Sequence, residues 1–300
     1  MSDKIRIGTR GSALALWQAN KIAQLITANY SEYTPEIVII ETEGDLDRES
    51  PLWQIGGKGV FVKSLEKALL KEEVDLAVHS FKDLTSPLPK SLALVGFLPP
   101  ETPSDAIVLC GDNPQQNVPE GGTLATGSRR REALINRWRP DIKVVPIRGN
   151  VGTRIKISQD KGYDGVVLSA AGLIRLGLMT DTVMTMDPQL FVPAPGQGVI
   201  AIESRRDDLT AIEIASTISH PDQMIVSGWE YDVLSRVGFD CQVPMGLWIR
   251  LENDKVKVDG FLSNSDGSEV FESQFEVSLE LAEARIKALA QTMKEWIQTK

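Results

Sequence analysis

Cysteine and histidine are nearly missing from this chain of 300 residues, which has two of each: Cys110 and Cys241, His79 and His220. So few thiols and imidazoles exclude a disulfide framework and a metal centre built on clustered cysteines and histidines. Aromatic side chains make up only 6%, and no apolar run is long enough to span a bilayer. The amino terminus, Met1-Ser2-Asp3-Lys4-Ile5-Arg6, lacks the apolar stretch of a secretory signal. The chain therefore reads as cytoplasmic, soluble and metal-free.

Surplus positive charge is missing too. The formal net charge is −9, so bulk electrostatics favour neither a nucleic-acid nor a membrane partner. Residues 121–154 run against that trend. There Arg129, Arg130, Arg131, Arg137, Arg139, Lys143, Arg148 and Arg154 face only Glu132 and Asp141. One basic focus in an acidic molecule points to a pocket for a small polyanion.

The length suggests two or three domains. Lys4–Gly8 reads as a strand, and Ser12 is placed to cap a helix from Ala13 to about Asn29. A strand is expected over Glu36–Glu43, a helix over Phe61–Glu73 and a buried strand over Val74–His79. The alternation resumes after Pro99-Pro100-Glu101-Thr102-Pro103. Strands are expected at Ile107–Cys110, Thr123–Thr126, Lys143–Ile147, Gly165–Ser169 and Val199–Glu203, with helices over 129–139, Val151–Gln159 and Ala170–Leu176. This is an α/β pattern with largely parallel sheets. From about His220 it changes to helix as far as Val237, three strands (Leu247–Leu251, Lys255–Leu262, Glu269–Val277) and a helix from Leu279 to about Ile297. That tail reads as α+β with an antiparallel sheet. No internal repeat is visible.

Cations recur in the small-residue turns at the strand–helix junctions: Arg10-Gly11-Ser12, Gly57-Lys58-Gly59, Lys82-Asp83, Ser128-Arg129-Arg130-Arg131, Arg148-Gly149-Asn150 and Gly152-Thr153-Arg154. Helix N-termini attract anions and disfavour cations by about 0.3–1 kcal/mol each. Three arginines after Ser128 therefore imply a compensating anion. The glycine strings are weak nucleotide signals. Lys58 lacks the Ser or Thr that must follow a P-loop lysine, and Gly196-Gln197-Gly198 enters a strand instead of leaving one. A mobile glycine lid and a hinge are the better readings. Lys82-Asp83 reads either as a surface ion pair or as a carboxylate that cations keep ionised for stabilising positive charge or moving a proton. Cys110 looks like a buried strand residue. Cys241 has no visible activating neighbour, which suits a one-time covalent attachment better than a catalytic nucleophile.

Taken in order, several strings resemble the porphobilinogen deaminase family over essentially the whole chain. They are Thr9-Arg10-Gly11-Ser12, Gly44-Asp45, Ile55-Gly56-Gly57-Lys58-Gly59, Ala77-Val78-His79-Ser80-Phe81-Lys82-Asp83, Ser128-Arg129-Arg130-Arg131, Arg148-Gly149-Asn150-Val151-Gly152-Thr153-Arg154, Ala171-Gly172-Leu173-Ile174-Arg175, Gly196-Gln197-Gly198 and Cys241-Gln242-Val243-Pro244. The resemblance implies two α/β domains like type II periplasmic binding proteins, residues 1–98 with 199–217 and residues 102–195. A third, α+β domain with a three-stranded antiparallel sheet spans residues 220–300. It also implies a transferase of tetrapyrrole biosynthesis, acting as a monomer. A dipyrromethane cofactor held by a thioether to Cys241 primes the condensation of four porphobilinogen molecules, with loss of ammonia and release of hydroxymethylbilane.

By the same resemblance Asp83 is catalytic and faces the pyrrole nitrogens. Lys82, Asp83, Thr126, Ser128, Arg130, Arg131 and Asp45 hold the cofactor, while Arg10, Ser12, Lys58, Arg148, Asn150, Arg154, Arg175 and Gln197 hold substrate. Four features depart from the family pattern: Arg129 stands where Leu is common, Phe239-Asp240 replace Gly-Gly before the cysteine, Tyr231 stands where Arg is common after Glu230, and Gln54 where Lys is frequent. One alternative is a cytoplasmic carboxylate-binding protein of periplasmic-binding type without catalysis; another is a family member that does not attach the cofactor.

Overall fold

The computed structural model describes residues 3–41, 59, 62–110, 117–238, 243–264 and 267–299. In chain order the first elements are β1 (Asp3–Thr9), α1 (Ala13–Asn29), β2 (Tyr33–Ile39), α2 (Lys63–Leu70), β3 (Leu76–Ser80), a 3-10 turn (Phe81–Asp83) and β4 (Leu92–Leu98). Next come β5 (Asp105–Leu109), β6 (Thr123–Ala125), α3 (Arg129–Trp138), β7 (Lys143–Val145), α4 (Val151–Asp160), β8 (Gly165–Ser169), α5 (Ala170–Arg175) and β9 (Val183–Thr185). The remainder is β10 (Ile200–Arg205), α6 (Leu209–Thr217), α7 (Pro221–Val237), β11 (Met245–Glu252), β12 (Lys255–Ser263), β13 (Val270–Ser278) and α8 (Leu279–Gln298). Two compact units result: Met1–Pro100 with Val199–Ser227, and Glu101–Gly198 with Gly228–Lys300.

The sheet of the first unit has the order β2-β1-β3-β10-β4. Ile5, Ile7, Leu76, Val78, Ile200 and Ile202 pack with Ala19, Ile22 and Ile26 of α1 and Ala211 and Ile214 of α6. Ala77 and Leu92 form a second cluster with Leu65, Ala68 and Leu69 of α2. Helices on both faces explain why the central strands read as continuous apolar runs. Ser12 caps α1 as expected, its Oγ accepting from the Ala15 N–H at 3.3 Å. Strand β2 begins earlier than expected and contains Pro35, opposite Ile5. A proline without an N–H is tolerated there because β2 is an edge strand.

The larger sheet of the second unit has the order β7-β6-β8-β5-β9. In both five-stranded sheets a parallel trio is followed by two antiparallel pairings. The expectation of largely parallel sheets therefore holds only for that trio. The two sheets share this wiring without a sequence repeat, because wiring depends on apolar pattern and connection length, not on residue identity. The three-stranded sheet β11-β12-β13 is antiparallel. Helix α8 buries Ala282, Ile286, Leu289, Ala290 and Met293 and packs on β12 and β13. Phe261 of β12 joins Leu134 and Ile135 of α3 and Phe191 in one core, tying the C-terminal layer to the larger sheet.

Candidate active site

Apart from Gln197, every described residue expected to bind cofactor or substrate follows the carboxyl end of a parallel strand, where ligands of open α/β sheets bind. In the first unit, Arg10 and Ser12 follow β1, and Lys82 and Asp83 form the 3-10 turn after β3. Asp83 is exposed and Lys82 half-buried. That turn is anchored from both sides. Gln18 of α1 donates to Ser80 Oγ at 2.9 Å, and the Phe81 N–H donates to Val199 O at 3.0 Å.

In the second unit, Thr126 and Ser128 shape the turn between β6 and α3. Thr126 Oγ1 accepts from the Ser128 N–H at 3.2 Å, and Ser128 Oγ from the Arg131 N–H at 3.4 Å. Gly127 between them admits no side chain, since a Cβ would lie 2.7 Å from Ile147 O. The helical phase sends Arg129 outward to Glu132, at 2.9 Å, and buries Arg130 and Arg131.

Both buried arginines meet Asp105, the fully buried first residue of β5. Arg130 Nη1 donates to Asp105 Oδ2 at 2.8 Å and to Val192 O at 2.8 Å. Arg131 Nε donates to Asp105 Oδ1 at 2.9 Å, and its Nη1 to Val167 O at 3.0 Å. Gln197 Nε2 also reaches Asp105 Oδ1, at 2.9 Å, and Pro103 O, at 2.7 Å. Burial alone would raise the Asp105 carboxyl; the two guanidinium groups override it and hold the carboxyl well below the usual range.

The basic focus expected over 121–154 is thus matched in part by acids outside the stretch, Asp105 and Glu272, and in part by its own acids. Asp105 serves Arg130 and Arg131, Glu272 lies 2.7 Å from Arg137, and Asp141 lies 2.6 Å from Arg139. Much of the anion implied by the triple arginine is the protein's own carboxylate.

Arg148 and Arg154 flank the turn between β7 and α4. Arg154 Nε donates to Gly149 O at 2.6 Å, and Gly149 has a φ of 112° that only glycine adopts readily. Exposed Asn150 is the N-cap of α4, without a side-chain capping bond. Arg175 ends α5, buried, and its Nη2 donates to Gly198 O at 2.5 Å. Burial pushes its pKa down, against Glu101 at 3.8 Å. Asp45, Lys58 and Cys241 lie outside the described residues.

Five buried acids among the described residues went unnoticed in the sequence: Asp105, Glu66, Glu203, Glu230 and Asp259. The signal was present for two of them, since Asp105 and Glu203 interrupt apolar strands, and a charge there requires a partner. Glu230 of α7 accepts from the Gly196 N–H at 2.8 Å and the Ile249 N–H at 3.2 Å. It thereby fixes the helix that ends four residues before Cys241.

A family model described as porphobilinogen deaminase, dipyromethane cofactor binding domain, matches residues 5–213. The porphobilinogen deaminase of Syntrophomonas wolfei is 37% identical over 289 residues, covering 96% of this chain and 94% of its own. That of Geobacter sulfurreducens is 42% identical over 268 residues, covering 89% and 83%. That of Chromobacterium violaceum is 38% identical over 291 residues, covering 97% and 94%. Among solved structures, the periplasmic VFT2 domain of Bordetella pertussis BvgS aligns at a TM-score of 0.42 and 18% identity, over 76% of this chain and 93% of its own. The probable amino-acid transporter binding protein YtmK of Bacillus subtilis aligns at 0.43 and 11%, over 78% and 96%. The strand orders, not these scores, define the architecture. On the strength of the family match and the near-full-length relatives, the chain belongs to the porphobilinogen deaminase family.

Proposed function

We infer that the chain condenses porphobilinogen head to tail, with loss of ammonia, and releases linear hydroxymethylbilane. What carries the reading is the crowding of guanidinium groups at strand ends in a chain of this family. Each pyrrole brings an acetate and a propionate, and arginine pairs with carboxylates in a bidentate manner. The donor set fits a multiply carboxylated group. Arg130 Nε and Arg148 Nη1 are buried N–H groups without an acceptor among the described residues, a rare condition in folded proteins.

When bound, the dipyrromethane supplies the pyrrole carbon onto which porphobilinogen adds. Cys241 carries it, and Lys82, Thr126, Ser128, Arg130, Arg131 and Asp45 hold and orient it. Arg10, Ser12, Lys58, Arg148, Asn150, Arg154 and Arg175 take the carboxylates of substrate. Gln197, tied to Asp105 and Pro103, belongs to the substrate-holding set as well. Asp83 stabilises the positive charge that develops on the substrate as ammonia departs, and it moves the pyrrole proton. We place the reaction in a cytoplasmic monomer with three domains, residues 1–98 with 199–217, 102–195 and 220–300. Three separate sheets support that division, and no described helix is long and apolar enough to cross a membrane.

Intact mass spectrometry of the purified chain tests the reading. A mass excess of two pyrrole units, absent in Cys241→Ser, is expected, together with ammonia release from porphobilinogen. An unmodified chain that binds carboxylates without releasing ammonia would establish the non-catalytic alternative, which the family match does not favour.

A further inference from the structure

Asp105 has no solvent exposure, yet it serves two guanidinium groups and an amide. An ordinary buried ion pair is one to one. Here one carboxylate bridges two guanidinium groups. Adjacent helical residues also point about 100° apart, so this pair would diverge without a shared acceptor. The bonds to Val192 O and Val167 O fix each guanidinium plane from a second direction. Arg130 Nε remains buried without an acceptor among the described residues.

We propose that Asp105 is a positioning residue for the anion site at the start of α3: it bridges Arg130 and Arg131 and aligns the pair on a ligand carboxylate. This rests on the reading that these arginines hold the primer's carboxylates. Asp105 itself touches no ligand. Its effect falls on loading of the primer, not on the chemistry of elongation.

The experiment compares wild type, Asp105→Asn, Arg131→Gln and the double variant, each as the full-length chain. Intact mass follows the primer-loaded fraction after addition of porphobilinogen, circular dichroism checks the fold, and kcat and KM are measured per loaded molecule. Asp105→Asn is expected to load at least tenfold more slowly, with KM of the loaded fraction within twofold of wild type. Adding it to Arg131→Gln should slow loading by less than it does in wild type, because only its action through Arg130 is left. Loading by Asp105→Asn within twofold of wild type overturns the proposal. So does a full, independent slowing in the double variant, the mark of a general structural role. If Arg131→Gln alone loads normally, the reading of these arginines as primer holders fails instead. Should Asp105→Asn not fold, Asp105→Glu keeps the charge but moves it by one methylene. It must then load at least threefold more slowly, and normal loading overturns the proposal.

Discussion

His79 Nε2 lies 3.0 Å from Glu203 Oε2, with the two side chains 3% and 0% exposed. Strands β3 and β10 run antiparallel, with His79 opposite Ala201 and Glu203 opposite Ala77. The contact is therefore a diagonal link across the two strands, four residues before Asp83. Breaking a buried hydrogen-bonded pair on one side strands the other partner, at a cost of about 1–3 kcal/mol. Glu203→Ala is expected to lower unfolding stability on that scale in urea titration and to depress turnover through the turn it anchors. A loss below about 1 kcal/mol would show that the pair does not hold β3 in place.

Glu66 of α2 is the third titratable group of this cluster. Burial, and then the Glu203 carboxylate, push it up to about 7, against the opposing influence of His79 and Lys63. The native state thus keeps a proton that the unfolded chain releases near 4.5. Its stabilising contribution is complete below about 4.5 and is lost as pH rises through about 7. Glu66→Gln, which cannot lose that proton, should gain roughly 2 kcal/mol on wild type between about pH 5.5 and 8. Urea unfolding at the two pH values measures it, and parallel behaviour of the two proteins would remove Glu66 as the source. Glu230, which burial pushes up to about 8 against its two backbone donors, is present in both proteins and cancels from the difference.

The α1 cap at Ser12, the α3 cap at Ser128 and the C-terminal antiparallel sheet were legible in the sequence because each rests on local chemistry: a hydroxyl before an apolar helix, or alternation between turns. The antiparallel placement of β5 and β10 was not, since strand direction within a sheet depends on long connections that leave no local trace. The site divided in the same way. Turn arginines stood out by their odd position, whereas the acids that neutralise them lie elsewhere in the sequence. Asp105 is 25 and 26 residues from its partners, and Glu272 is 135 residues from Arg137. A basic stretch read without those partners overstates the free charge.

Asp83 offers the cleanest separation of chemistry from structure. It is exposed, on a turn held by Gln18, Ser80 and Val199, so Asp83→Asn should leave stability within about 0.5 kcal/mol of wild type. The amide keeps the shape of the carboxylate but removes both its charge and its basicity. Loss of a positioned acid–base group costs about 10²–10⁴-fold, and loss of a charge aimed at a developing cation acts in the same direction. The variant is expected to retain the mass excess of two pyrrole units while ammonia release falls by at least 10²-fold. Retained mass with near-normal ammonia release would show that another group stabilises the charge. Asp83→Glu, which restores the carboxylate at a displaced position, should recover part of the rate if charge is what matters.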